Sequence, residues 1–331
     1  MKVLLINPSL FQGIKFPGVF KTMLSVHDFA PPLGLMYLKS YLTAVSDAEV
    51  KIFNFQVKNP PCDHNFIEYL KNYRPNVIGI TVMTNCWYDV CKKIQIIKKI
   101  VPSALIVGGG AHMNIYAEES LHVGGFDVVV QGEGEVTFAE IISQFKCNND
   151  FTGIKGTSFK LQDKIIKNPP RPVNRELNNL PIPDYSDYDI MNYRYVATKY
   201  HPSAVISTSR GCPHQCSFCA NFDVTLRTRN VRNVVDEMVV RKDMGFQSIN
   251  FFDNNLCESK QHITALCEEI IRRDLKMPWM CMSRVDCVDK QILNLMSESG
   301  CELINFGVES ANQHILDRIQ KKISVEQSRT A

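Results

Sequence analysis

Ala204-Val205-Ile206-Ser207-Thr208-Ser209-Arg210-Gly211-Cys212-Pro213-His214-Gln215-Cys216-Ser217-Phe218-Cys219 runs from an apolar, β-branched stretch straight into a loop carrying three cysteines. Ala204–Thr208 reads as a strand, and Gly211 and Pro213 deny the next residues a regular element. Three thiolates at C-x3-C-x2-C spacing can reach three corners of one cubane cluster and leave its fourth iron open. A full four-cysteine set would instead make an electron-transfer centre or a closed zinc site. Two other readings stand beside this one: a zinc site of the three cysteines with His214, and loop cysteines without a ligand. Zinc motifs favour two C-x2-C pairs, whereas Cys257, Cys267, Cys281, Cys287 and Cys301 are scattered.

Beyond this loop the chain alternates helix and strand. Helices are expected over Val231–Met244, Ser259–Arg273, Asp289–Ser299 and Asn312–Ile323, with strands over Ser248–Phe252, Trp279–Met282 and Leu303–Phe306. Ser259 is placed to cap a helix whose stripe is Ile263, Leu266, Cys267 and Ile270. Four βα units in a row, over 201–331, point to a TIM-like barrel rather than a second open sheet. In such barrels ligands are met at the carboxyl ends of the strands, which here read Asp253-Asn254-Asn255, Arg284-Val285-Asp286 and Gly307-Val308-Glu309-Ser310. Structural roles also suit these residues: Asp253 and Asp286 as helix caps, Arg284 as an ion-pair partner, Glu309 as a first-turn carboxylate. Arg227 and Arg229 form a basic pair shortly after the cysteine loop.

Toward the amino terminus, residues 146–200 read as a polar turn, a hairpin around Gly156–Leu161 and Lys164–Ile166, and a proline-rich linker. Residues 1–145 alternate again. Strands are expected over Lys2–Asn7, Val50–Asn54, Asn76–Thr84, Ala104–Gly108 and Asp127–Gln131, and the clearest helix over Trp87–Ile100. This is the pattern of a flavodoxin-like (Rossmann-type), doubly wound parallel sheet. Its ligand edge lies just past each strand, where the sequence reads Asn7-Pro8-Ser9, Gly108-Gly109-Gly110 and Gly132-Glu133-Gly134. Glycines there let backbone approach a ligand closely, although glycine after a strand is also ordinary turn chemistry.

Taken together, Asn7-Pro8, Pro31-Pro32-Leu33-Gly34, Ile78 to Thr84 with its Thr81, and the two glycine runs resemble the B12-binding domain that precedes many radical S-adenosylmethionine (SAM) enzymes. The C-x3-C-x2-C loop is similar to the cluster loop of that superfamily. The resemblance implies a cobalamin-binding-type domain over 1–145 and a radical SAM core over 201–331. It implies cobalamin contacts at Asn7, Pro8, Ser9, Gly34, Thr81, Thr84, Gly108, Gly109, Gly110, Gly132, Glu133 and Gly134. It implies a [4Fe–4S] cluster on Cys212, Cys216 and Cys219, and SAM contacts at Phe218, Asp253, Asn255, Arg284, Glu309 and Ser310. It implies reductive cleavage of SAM to a 5′-deoxyadenosyl radical, which with cobalamin serves methyl transfer, cyclisation or rearrangement of a small-molecule substrate. A flavodoxin or ferredoxin would supply the electrons. Two alternatives are a methylthiotransferase-like enzyme with a non-functional B12 domain and a non-catalytic iron–sulfur or corrinoid-binding protein.

The sequence departs from the family pattern twice. The first loop, Asn7 to Gly13, lacks the Asp-x-His-x-x-Gly whose histidine ligates cobalt in mutases. The family's barrel has six βα units, so four units imply a partial barrel, short of about 60 residues at ~30 per unit.

Composition fits an α/β protein of two domains. The chain has 331 residues, 45% hydrophobic and 21% charged, and its net charge of +3 gives no electrostatic case for a nucleic-acid partner. The first eight residues do not continue into a signal peptide, and no apolar run reaches the ~18 residues of a membrane span. Twelve cysteines in this length fall short of a disulfide scaffold, so a cytoplasmic setting with free thiols is expected.

Overall fold

A strand as apolar as Lys-Val-Leu-Leu-Ile-Asn must be covered on both faces, and in the computed structural model it is. The structure describes residues 1–9, 30–57, 60–162, 164–193, 195, 197–220 and 225–331, so the part of the first loop from Leu10 to Gly13 lies outside the described residues. Contacts divide the chain into two units, one holding the first strand with residues 32–174 and 180–188, the other 175–179 and 189–331.

In the first unit, β1 (Lys2–Asn7), β2 (Glu49–Asn54), β3 (Val77–Thr81), β4 (Leu105–Gly109) and β5 (Val128–Val130) run parallel in the order β2-β1-β3-β4-β5. This is the flavodoxin-like order, with its switch point between β1 and β3. Side chains alternate across the sheet. Leu4, Ile6, Ile78 and Ile80 pack under the helices Asp63–Tyr73, Trp87–Ile100 and Ala111–His122, while Val3, Leu5, Val77 and Val107 pack under Leu33–Val45 and Gly134–Cys147. Each fully buried Leu or Ile contributes about 1.5–3 kcal/mol. Gly79 in β3 is required by packing: a Cβ there would stand 2.8 Å from Leu5 and 2.9 Å from Phe138.

Two results differ from the expected layout. The hairpin β6 (Thr157–Leu161) and β7 (Lys164–Lys167), assigned above to the join, pairs antiparallel onto β5 and widens the sheet to seven strands. Strand β3 also stops at Thr81, and Thr84–Cys86 turns as a 3-10 helix, so Thr84 lies past the strand rather than in it.

In the second unit, β8 (Ser203–Ile206), β11 (Ser248–Phe251), β12 (Trp279–Ser283) and β13 (Cys301–Phe306) form a parallel sheet in spatial sequence order, interleaved with helices Val231–Asp243, Lys260–Arg272 and Lys290–Glu298. Between β8 and β11 lies a two-residue antiparallel ribbon, β9 (Ser209–Arg210) with β10 (Arg227–Thr228). The last helix is shorter than expected. It spans Gln313–Arg318, and the chain then turns through Gln320 and Lys322, both at positive φ, before a separate helix at Val325–Thr330. Ile323 drives this break by packing with Val285 and Leu316 in a small core. Among the described residues, no helix is long and apolar enough to cross a membrane.

Candidate functional site

The cysteine loop is fastened at its base before it reaches its first thiol. Asp253, just past β11, is 1% exposed, and its carboxylate accepts from the backbone N–H and the hydroxyl of both Thr208 and Ser209. Burial pushes the Asp253 carboxyl upward, and these donors oppose the shift. Thr208 Oγ1 also lies 3.0 Å from Nε2 of His262, whose titration burial drives down to about 4. The β9–β10 ribbon then closes the loop's two ends against each other.

Within the loop a turn joins the second and third cysteines. Cys219 donates its N–H to the Cys216 carbonyl at 3.0 Å, and the backbone N–H of His214 donates to the Cys212 thiol. Burial raises the Cys212 thiol, with the charges of Glu258 and Cys219 adding to the rise and Arg284 opposing it. Arg284 stands at the end of β12, 5% exposed, with Nη1 3.9 Å from Cys216 Sγ. Asp286 holds that guanidinium at 2.9 and 2.8 Å, and Nη2 also donates to the Lys321 carbonyl at 2.9 Å. The donor set fits a cluster: three thiols on one loop, a backbone N–H turned toward one of them, and a fixed positive charge beside another.

The other expected SAM contacts fall at the same strand ends in varied states. Asn255, 3% exposed, bridges β11 and β12: its carbonyl accepts from Ser283 Oγ and Arg284 N, each at 3.2 Å, and its amide donates to Glu258 and Cys287. Asp253 faces the loop's own backbone. Phe218 is half exposed, with the Lys321 ammonium 5.6 Å from its ring centroid. Glu309, in the left-handed region at φ 61°, accepts from Lys321 Nζ at 2.9 Å, and Ser310 Oγ accepts from Asn312 N. A Cβ on Gly307 would stand 2.8 Å from Lys321 Nζ, so a side chain there would push the ammonium off its present place. Lys321 was not foreseen, because an unbroken helix over Asn312–Ile323 leaves no reason to turn it back toward β13. Arg229 is structural here: Nη1 donates to the Ser207 carbonyl and pairs with the fully buried Glu237, which also holds Arg241.

In the first unit, the expected corrinoid contacts gather at the carboxyl edge of the sheet. Asn7 Nδ2 donates to Asn54 Oδ1 at 2.8 Å, and Gln56 Nε2 donates to the Pro8 carbonyl at 2.8 Å. Ser9 donates its backbone N–H to Asp89. Gly132 N donates to Asn114 Oδ1, and Glu133 accepts from Asn174 N at 2.7 Å. The glycines divide into two kinds. A Cβ on Gly108 would collide with Met113 and Phe126, and one on Gly110, at φ 96°, would stand 2.9 Å from the Val82 backbone. Gly34, Gly109, Gly132 and Gly134 face open space, with nothing within 4 Å of an added Cβ. Gly132, at φ 82°, is fixed as glycine by its backbone conformation, whereas packing does not demand glycine at Gly34, Gly109 and Gly134. Thr84 Oγ1 meets His112 Nδ1 at 3.2 Å, and His112 packs against the rings of Trp87 and Tyr116, tilted by 31° and 34°.

The two units thus define a flavodoxin-like domain with a glycine cradle, and a parallel βα domain whose first strand feeds a three-thiol loop. The B12 binding domain family matches residues 21–142, and the radical SAM superfamily matches residues 206–331. The chain belongs to the radical SAM proteins that carry a B12-binding domain. It is 31% identical to an uncharacterized methyltransferase of Pyrococcus horikoshii over 99% of this chain and 70% of that one. It is 28% identical to the anaerobic magnesium-protoporphyrin IX monomethyl ester cyclase of Rubrivivax gelatinosus, covering all of this chain and 59% of that one. Among solved structures it is similar to TsrM, a radical SAM methyltransferase from Kitasatospora setae with cobalamin and a [4Fe–4S] cluster bound. The TM-score is 0.76 at 19% identity, over 99% of this chain and 63% of that one. The chain therefore spans about 60–70% of the length of these relatives.

Proposed function

We propose that this chain belongs to a cobalamin-dependent radical SAM enzyme that methylates or cyclises a small-molecule substrate. The observation that carries the reading is the pairing of Arg284 with Cys216 inside a three-thiol loop pinned by Asp253. Cys212, Cys216 and Cys219 would hold the cluster, and the open glycines at the edge of the first sheet would receive the corrinoid. When bound, the cluster supplies an open iron for the amino and carboxylate groups of SAM and the electron that breaks its C–S bond, while cobalamin supplies a methyl group.

The protein's part is positioning and electrostatics. Asp253 fixes the loop from beneath, Asn255 ties the ends of β11 and β12, and Arg284 sets a permanent positive charge against one thiolate. Glu309 and Ser310 at the end of β13 would accept or donate to ribose hydroxyls, with Lys321 orienting the Glu309 carboxylate. A flavodoxin- or ferredoxin-type protein would deliver the electrons. Relatives named as a methyltransferase and as a cyclase support the reaction class.

The test is anaerobic reconstitution with iron, sulfide and hydroxocobalamin, reduction with dithionite, addition of SAM, and measurement of 5′-deoxyadenosine. Formation of that product by the chain and its absence in Cys216→Ala would sustain the reading. A full [4Fe–4S] spectrum without SAM cleavage would overturn it.

A further inference from the structure

His214 sits between two of the loop cysteines in sequence, yet its ring is turned away to a different set of donors. Its Nε2 lies 2.9 Å from Glu258 Oε2, and Cys287 Sγ lies 3.7 Å from that same oxygen. The three donor atoms all fall within 4.8 Å of one another, and all three side chains are partly buried. They come from three neighbouring segments: His214 from the loop between β9 and β10, Glu258 from the turn Leu256–Glu258 after β11, and Cys287 from the turn Val285–Cys287 after β12. Asn255 Nδ2 braces two of them, at 2.5 Å from Glu258 Oε2 and 3.3 Å from Cys287 Sγ. Asp286 Oδ1 stands 4.0 Å from the same sulfur.

We infer that His214, Glu258 and Cys287 bind a single zinc-class divalent cation beside the cysteine loop. With metal–nitrogen and metal–oxygen bonds of about 2.0 Å and a metal–sulfur bond of about 2.3 Å, tetrahedral ligands stand roughly 3.3–3.6 Å apart. The observed N···O separation of 2.9 Å and S···O separation of 3.7 Å bracket that spacing, and the third separation, within 4.8 Å, closes onto it by side-chain rotation. One imidazole, one carboxylate and one thiolate suit zinc or ferrous iron and disfavour calcium or magnesium, which take oxygen donors. Two negative donors neutralise a divalent ion. On binding, the Cys287 thiol gives its proton to solvent, and the Asn255 amide stays on the sulfur as an outer hydrogen bond. A water completes the fourth position. The ion would clamp the cysteine loop to the ends of β11 and β12 independently of whatever those cysteines hold.

The experiment uses the full chain in two forms. In a C212A/C216A/C219A background, which silences the loop thiols, anaerobic titration with Co2+ should give one equivalent of tetrahedral d–d absorption and a thiolate-to-Co2+ charge-transfer band. An equivalent of Zn2+ should abolish both. Adding Cys287→Ser should remove the charge-transfer band, and His214→Ala or Glu258→Gln should weaken Co2+ binding at least tenfold, with far-ultraviolet circular dichroism unchanged. In the cluster-loaded wild-type chain, metal analysis after dialysis should find one zinc beyond the cluster iron, lost in His214→Ala. Absence of the tetrahedral spectrum, or a spectrum indifferent to all three substitutions, would overturn the site. So would a cluster-loaded chain in which Cys287→Ser alters the cluster's electron paramagnetic signal and no zinc is retained, because Cys287 would then serve the cluster. Failure to assemble a cluster would count against the proposed function and leave the Co2+ result untouched.

Discussion

Arg284 presents Nη1 3.9 Å from Cys216 Sγ while Asp286 grips its Nε and Nη2, so a positive charge is fixed against one thiol of the cysteine loop and cannot swing away. At an effective dielectric of about 20, a unit charge at ~4 Å is worth about 4 kcal/mol, and solvent reduces that figure at this partly open site. Reduction adds negative charge to the cluster, and a nearby cation favours it. Arg284→Gln should therefore move the cluster midpoint to more negative potential by tens of millivolts, on the order of 60 mV for each 1.4 kcal/mol lost. Redox titration followed by electron paramagnetic resonance reads this directly. An unchanged midpoint would mean that Arg284 serves packing alone.

Asp253, buried, carries the loop on four donors, two backbone and two hydroxyl. In Asp253→Asn an amide N–H must face N–H donors, leaving buried groups unpaired at a cost of about 2–4 kcal/mol. The expected outcome is a lower unfolding midpoint together with iron incorporation below half that of wild type. Thr208→Val, which removes one of those four donors and leaves the His262 ring without its partner, should cost about 1–3 kcal/mol and retain the cluster.

The glycines of the first unit separate fold from ligand. Gly109→Leu adds a side chain into open space and should leave stability within about 0.5 kcal/mol. Hydroxocobalamin binding, followed by absorbance titration, should weaken at least tenfold. Gly110→Ala does the opposite: with φ 96° and Val82 backbone atoms 2.9 Å away, it should destabilise by about 1–3 kcal/mol. Normal cobalamin affinity in Gly109→Leu would show that the corrinoid does not lie on this edge.

Much of the architecture was legible because local pattern and global fold agree. The strand at Lys2–Asn7 and the helix at Trp87–Ile100 appear at the bounds read from their periodicity, since each buries its whole apolar set against the sheet. The family could be read from the cysteine loop and the glycine runs, which are local in sequence. What the sequence hid is non-local. Whether Asp253 faces a ligand or the loop's own backbone depends on β8 lying beside β11. The turn at Gln320 to Lys322 depends on Ile323 finding Val285, some forty residues earlier, and no helical period reports that contact. Glu258 and Cys287 are unremarkable in sequence and meet His214 only because three segments converge. The hairpin at 157–167 is legible as a hairpin, but its pairing onto β5 is not, because short, charged strands look alike at a sheet edge and in a free loop.

His262 links acid stability to the same loop. Its imidazole is buried beside Thr208, and burial lowers its titration from the ordinary 6.5 to about 4. The neutral ring is the form that fits, with Nε2–H donating to Thr208 Oγ1 while that hydroxyl donates to Asp253. The unfolded chain takes up a proton on this residue below about pH 6.5, whereas the folded chain resists until about pH 4. Stability from His262 is therefore fully present above pH 6.5 and declines as pH falls through that window, by at most about 3 kcal/mol. Asp253 acts in the other direction, because burial raises its carboxyl and protonation on acidification relieves it. His262→Gln keeps a donor for Thr208 and removes the titration. Its denaturant midpoint should fall less steeply than wild type between pH 6.5 and 4, with the two curves parallel above pH 7. Parallel curves throughout would mean that the ring opens to solvent on acidification, and that the base of the cysteine loop is looser than its hydrogen bonds imply.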